Sequence, residues 1–154
     1  MRLTQKTDYA LRVLMYCAIQ QERQESSTIS EIAEFHKISR SHLMKVVMEL
    51  SAYGWLSTTR GRGGGIRLLA PAGEIVIGEV VRKMEDNFTI VECFSVEGNL
   101  CQIDGRCNLK NVLMQGLDAF IRVLDGVTLK DVVNNSANTA PMPIVFKKAP
   151  RRLI

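Results

Sequence analysis

A mainly α fold with one small β-hairpin (α+β) is predicted by three features of the 154-residue chain. Two short helical patterns meet at a tight polar turn near His36-Lys37. Two β-prone runs then flank a glycine cluster at Gly61–Gly65. A third pattern, long and strongly amphipathic, begins at Asn108. In that order the elements make a winged helix-turn-helix followed by one long helix.

The first helix is expected from Thr4 or Thr7 to about Gln20. Ala10, Val13, Leu14, Cys17 and Ala18 recur at the spacing of a buried helical face. Cys17 lies on that stripe and reads as a small core residue. Thr28-Ile29-Ser30-Glu31 reads as a capping box that starts a second helix, with Ile32, Ala33 and Phe35 on its apolar side. Ser39 caps a third helix whose apolar face is Leu43, Val46, Val47 and Leu50, with Gly54 as its stop. Trp55–Arg60 and Ile66–Leu69 read as the strands of a hairpin, with a further strand-forming segment near Thr28.

After Pro71 an amphipathic helix is expected over Ile77–Glu85, and then a loop, Cys93 to Cys107. Leu109, Val112, Leu113, Leu117, Phe120 and Leu124 mark a long helix ending at Gly126. Thr128-Leu129-Lys130-Asp131 caps a last short helix. Beyond Ser136 there are three prolines, paired bases and no periodicity, the pattern of a disordered tail. The expected division is 1–72, the winged unit; 73–135, the cysteine loop and long helix; and 136–154, the basic tail.

Charge follows the same division. Residues 1–70 carry ten Lys/Arg against six Asp/Glu, residues 71–135 six against ten, and residues 136–154 four bases and no acid. A basic first part next to an acidic middle suits a polyanion at one end only. No apolar run approaches the roughly 18–20 residues that span a bilayer, and no opening stretch has the pattern of a signal peptide, so the expected location is the cytoplasm, with no membrane partner.

Ser39, Arg40, Ser41, His42 and Lys45 are short polar or cationic side chains on the first turns of the third helix, opposite its apolar face. That is what a recognition helix brings to base edges in the major groove of double-stranded DNA. Arg60, Arg62 and Arg67 surround Gly63 and Gly64 in the hairpin. Glycine lets backbone come close to a phosphate backbone, and the arginines then pair with phosphates or enter the minor groove. A phosphate-cradling nucleotide loop is excluded by context, because no Gly-Lys-Ser/Thr follows and a strand comes next.

Cys93, Cys101 and Cys107 lie within fifteen residues, separated by gaps of seven and five. Cytoplasmic conditions argue against disulfides, and three thiolates on a polar loop suit a metal centre. Structural zinc favours Cys-x2-Cys knuckles, which are absent; the wider gaps suit an iron–sulfur cluster. Catalysis by a cysteine nucleophile is disfavoured, since His36 and His42 both belong to the helix-turn-helix. A redox or cluster-carrying protein would use the same thiols but needs a substrate cleft or partner site that the sequence does not indicate.

Met1-Arg2-Leu3-Thr4, Thr7-Asp8-Tyr9-Ala10-Leu11-Arg12, Arg60-Gly61-Arg62-Gly63-Gly64-Gly65-Ile66-Arg67-Leu68 and the three loop cysteines together resemble the iron–sulfur winged helix-turn-helix repressors of the IscR/NsrR/RirA type over residues 1–135. The resemblance implies a homodimer joined through the long helix, palindromic promoter DNA as target, and a cluster whose state controls binding. Lys110 stands where the cluster-biogenesis branch has a ligating histidine. Asp8 stands where the nitric-oxide-sensing branch has an aspartate that serves as fourth ligand across the dimer, and His42-Leu43-Met44-Lys45-Val46-Val47 is also similar to that branch. Glu92-Cys93-Phe94 is closer to the rhizobial iron regulators. The resemblance therefore implies a cluster, 4Fe–4S rather than 2Fe–2S, on Cys93, Cys101, Cys107 and Asp8 of the partner subunit, with nitric oxide as the signal. Read as a residue alone, Asp8 is equally a first-turn charge that complements the helix dipole.

Overall fold

The computed structural model describes residues 2–61, 64–95 and 98–134. The tail expected at 136–154 lies outside these residues, as do Arg62 and Gly63 of the hairpin. Six α-helices and one two-stranded antiparallel sheet are present: α1 (Gln5–Glu22), α2 (Ile29–His36), α3 (Arg40–Ala52), β1 (Leu56–Thr59), β2 (Gly65–Leu68), α4 (Ile77–Met84), α5 (Asn108–Asp125) and α6 (Leu129–Asn134). A 3-10 turn over Glu92–Phe94 precedes the cysteine loop.

The helix starts are local chemistry. Thr4 Oγ1 accepts from Thr7 N at the head of α1, and Ser39 Oγ accepts from His42 N at the head of α3. Thr28 and Glu31 form the expected capping box, each side chain accepting the other's backbone N–H. Thr128 and Asp131 repeat the device on α6. Lys37 closes α2 in the left-handed region at φ 55°, and so makes the tight turn into α3.

Leu56 pairs with Leu68 and Thr59 with Gly65 across the hairpin. Its strands are shorter than the sequence pattern suggests. Trp55 N is donated to Leu50 O, closing the end of α3, so only its carbonyl reaches the ladder, accepting from Leu69 N (2.9 Å). The further segment near Thr28 contributes a single bridge, Ser27 to Ile66, with bonds of 3.0 and 2.6 Å.

One hydrophobic core takes side chains from both sides of residue 72. Val13, Leu14, Leu43, Leu50 and Ile66 pack in the same cluster as Ile75, Val80, Met84 and Leu129. The segments that lead into α4 and out of α5 meet at one place. Val76 and Thr128 bridge, Ile77 N donates to Val127 O (2.9 Å), and Leu129 N donates to Ile75 O (2.8 Å). The far end of α4 is tied to α1, where Glu85 Oε1 accepts from both Thr4 N (2.7 Å) and Thr4 Oγ1 (3.1 Å).

Helix α5 docks on α4 through Arg82, which pairs with Asp125 at 2.6 and 3.1 Å. A Cβ added at Gly78 would lie 2.0 Å from Asp125 Oδ1 and 3.0 Å from Asp125 N, so the two helices meet closely there. Gly78→Ala is therefore expected to destabilise the fold by about 1–3 kcal/mol, the usual cost of overpacking. Urea denaturation measures this, and an unchanged midpoint would show that α5 moves away freely.

Although α5 has 18 residues, none of them is buried. Leu109, Val112 and Val123 are 61–67% exposed on one face, with exposed Gly116 and Ala119 between them. An apolar helical stripe of that length is normally covered.

Candidate nucleic-acid interface and cysteine loop

Burying Leu43, Val46, Val47 and Leu50 turns the opposite face of α3 outward. Ser39, Arg40, Ser41, His42 and Lys45 are all exposed on the helix as the sequence led us to expect. Ser39 has a second role, since its hydroxyl caps the helix and lies 3.3 Å from Ser41 Oγ. His42 is not isolated: its ring centroid is 6.5 Å from that of Tyr9 on α1.

Arg60 and Arg67 are exposed at the hairpin, on β1's outgoing end and within β2. Gly64 N donates to Gly61 O (3.0 Å), closing the described part of the wing tip. A Cβ at Gly64 would fall 2.3 Å from Thr59 O, a backbone atom that cannot swing aside, so no larger residue fits this turn. The wing's cations are thus held on a backbone of minimal bulk, as close approach to a phosphate chain requires.

The cysteine loop is built between the 3-10 turn and α5. Leu100 N donates to Glu92 Oε1 (2.5 Å) across the loop, and Cys101 N donates to Asn99 Oδ1 (3.1 Å) in a local turn beside it. Cys93, Cys101 and Cys107 are free thiols of intermediate exposure. Cys17, in contrast, is 2% exposed, and burial pushes its thiol up to about 12, which leaves it a core residue. Cys107 is the N-cap of α5 and its side chain makes no capping bond; its position at the helix N-terminus is one where negative charge is stabilised. Lys110 brings an ammonium to the same loop. Its pKa is raised first by the hydrogen bond to Asp104 (2.6 Å) and further by Cys93 and Cys101. Uncommitted thiols, a helix N-terminus and a cation together suit an anionic thiolate-ligated centre such as an iron–sulfur cluster.

Among the described residues, no three His, Cys, Asp or Glu side chains converge as a metal site. Asp8, on the first turn of α1, is engaged elsewhere. Arg12 Nε donates to Asp8 Oδ1 (3.0 Å), and Arg12 Nη2 lies 2.8 Å from Asp8 Oδ2. Arg12 also acts on His36 of α2. Burial first, then the Arg12 guanidinium, hold that imidazole below its ordinary value. The ion pair of Arg12 and the parts that Glu92 and Lys110 play in the loop were not among the expectations from sequence. Only the first had a visible signal, the Asp8/Arg12 spacing of an i,i+4 ion pair.

This chain belongs to the Rrf2 family, described as an iron-dependent transcriptional regulator, which matches residues 3–135. It is 53% identical over 135 residues to the HTH-type transcriptional regulator NsrR of Bacillus subtilis (strain 168), covering 88% of this chain and 92% of that one. Two solved structures share the fold. CymR (YrzC), the global cysteine regulator of B. subtilis, aligns with a TM-score of 0.72 at 24% identity over 87% of this chain and 97% of its own. IscR of T. potens aligns with a TM-score of 0.69 at 23% identity, over 91% and 93%. The chain is a DNA-binding transcriptional regulator and not an enzyme. Among the described residues, no helix is long and apolar enough to cross a membrane.

Proposed function

We propose that the chain is a cytoplasmic, homodimeric repressor that binds promoter DNA and senses nitric oxide through an iron–sulfur cluster, 4Fe–4S rather than 2Fe–2S. The observation that carries this reading is the loop of three free, half-exposed thiols leading directly into an uncovered apolar helix. In this reading residues 1–72 hold the DNA-binding unit, residues 73–135 the cluster loop and dimer helix, and residues 136–154 a basic tail. Cys93, Cys101 and Cys107 would hold the cluster with Asp8 of the partner subunit. Ser39, Arg40, Ser41, His42 and Lys45 would meet the major groove, while Arg60, Arg62, Gly63, Gly64 and Arg67 would meet the backbone or minor groove.

When bound, the cluster supplies an iron with a carboxylate ligand, harder and more replaceable than thiolate, where nitric oxide can bind. The remaining steps belong to the chain's own residues. Both oxygens of Asp8 face Arg12, so taking the carboxylate up as a ligand would compete with the guanidinium that bears on His36 of α2. Tyr9, the next residue, touches His42 on α3. Both helices of the helix-turn-helix therefore meet the turn of α1 that carries Asp8, a two-state element that a ligand can bias.

A second reading has a specific observation in its favour. The family description is iron-dependent, so iron level or cluster status could be the signal in the same architecture. Anaerobically purified protein, followed by visible absorbance and native mass spectrometry and by gel shifts with nitric oxide or a chelator, separates the two. Release by nitric oxide at intact iron supply is expected; release by iron depletion alone would favour the second reading. Asp8→Ala should keep a cluster on the three thiols but narrow the difference in promoter affinity between loaded and stripped protein. An unchanged affinity ratio in that variant would remove Asp8 from the mechanism and leave it a helix-dipole charge.

A further inference from the structure

Helix α3 carries two apolar side chains on its solvent face that the DNA-binding reading above does not use. Met44 is 51% and Met48 70% exposed, while Leu43, Val46, Val47 and Leu50 are buried behind them. Ser41, Met44, Lys45 and Met48 fall at i, i+3, i+4 and i+7, one continuous stripe along the helix. An exposed apolar residue needs no explanation when it stands alone. Here there are two, one turn apart, on the helix that also presents Arg40, His42 and Lys45.

They also share a groove. Met44 and Met48 line a trough of about 480 Å³ between α3 and the wing, with Val47, Ile29 and Ile66 also apolar in its lining and Thr59 and Arg60 on the wing side. Among the described residues that line it, Arg60 alone is charged and no carboxylate is present. An apolar lining beside cationic side chains suits a polyanion that carries small apolar projections. Duplex DNA is such a partner, because thymine places a 5-methyl group in the major groove. Methionine suits the task, since its unbranched, polarisable side chain adapts to irregular apolar shapes.

We infer that Met44 and Met48 are sequence-reading residues that pack on thymine 5-methyl groups in the major groove. The inference rests on α3 being the helix that enters that groove. Specificity for thymine over cytosine then comes partly from apolar contact, alongside the hydrogen bonds that Ser41, His42 and Lys45 offer.

The test uses full-length protein and a duplex recovered by selection from random sequences with the wild type. Each thymine in the protected region is replaced in turn by uracil, which removes only the methyl. Fluorescence anisotropy should show a loss of about fourfold for each contacted methyl, the value of one buried methyl-sized group. Met44→Ala or Met48→Ala should abolish the loss at the thymine each serves, and Met44→Leu or Met48→Leu should retain it. Wild-type protein indifferent to every uracil, or alanine variants with unchanged methyl sensitivity, would overturn the inference. Lys45→Ala and Arg60→Ala provide the separating control. If they weaken binding while methyls do not matter, only the methionine assignment fails; if they leave binding unchanged, the DNA-facing surface itself has been misassigned.

Discussion

Replacing any one of Cys93, Cys101 and Cys107 with alanine is expected to give colourless protein after anaerobic purification, whereas Cys17→Ala keeps the colour of the wild type. The loop thiols are free and partly exposed, with Cys107 at the head of α5 and Lys110 bearing on Cys93 and Cys101. Loss of one thiolate would leave the proposed cluster without a corner, and alanine offers no substitute donor. Cys17 is enclosed in the core, and its thiol is raised to about 12 by burial, so it has neither the access nor the charge to compensate. Iron and sulfide analysis checks the result. Full iron and sulfide content in any of the three loop variants would remove that cysteine from the ligand set, and an equal loss in Cys17→Ala would point to a different centre.

The second large effect is expected at α5. Val112→Glu combined with Val123→Glu should convert the proposed dimer into a monomer and lower promoter affinity by about 100-fold or more, because the second half-site contact loses its effective concentration. Val112 and Val123 are 61% and 67% exposed on the same helical face, with Leu109, Gly116 and Ala119 completing the stripe. Burying side chains of this kind gives about 1.5–3 kcal/mol each, and placing charges there reverses that gain. Since these side chains stand away from the chain's own core, circular dichroism should be unchanged. Light scattering reads the mass directly. A dimer of undiminished affinity in the double variant would place the interface elsewhere.

What could be read from the sequence was mainly what nearby residues decide. Thr4, Thr28, Ser39 and Thr128 each cap a helix through a hydrogen bond three residues away, and the bounds of α5 follow from its own periodicity. The outward face of α3 follows in turn from its buried face. Long-range ties had no such signal. Nothing near Thr4 announces that Glu85 will take its backbone N–H, and nothing near residue 72 announces that one core crosses it. The site was legible in the same measure. Three clustered cysteines were plain, but the ammonium of Lys110 beside them depends on how the loop folds back, and the claim of Arg12 on Asp8 depends on rotamers that spacing alone does not fix.

The bridge between Val76 and Thr128 has a consequence for how such a regulator can diversify. The chain from Ile77 to Val127 departs from and returns to one doorway, where Ile75, Ile77, Val127 and Leu129 exchange backbone bonds, and its first limb, α4, stays in the core. A loop hung between fixed ends can be lengthened at little thermodynamic cost, since doubling a loop adds only about 0.6 kcal/mol. Among the described residues from Glu85 to Val127 none is buried, so the core makes few demands on what hangs beyond α4. The cysteine loop and α5 therefore form an exchangeable cassette between the end of α4 and the doorway: a different sensing loop grafted there would leave the DNA-reading surface as it stands.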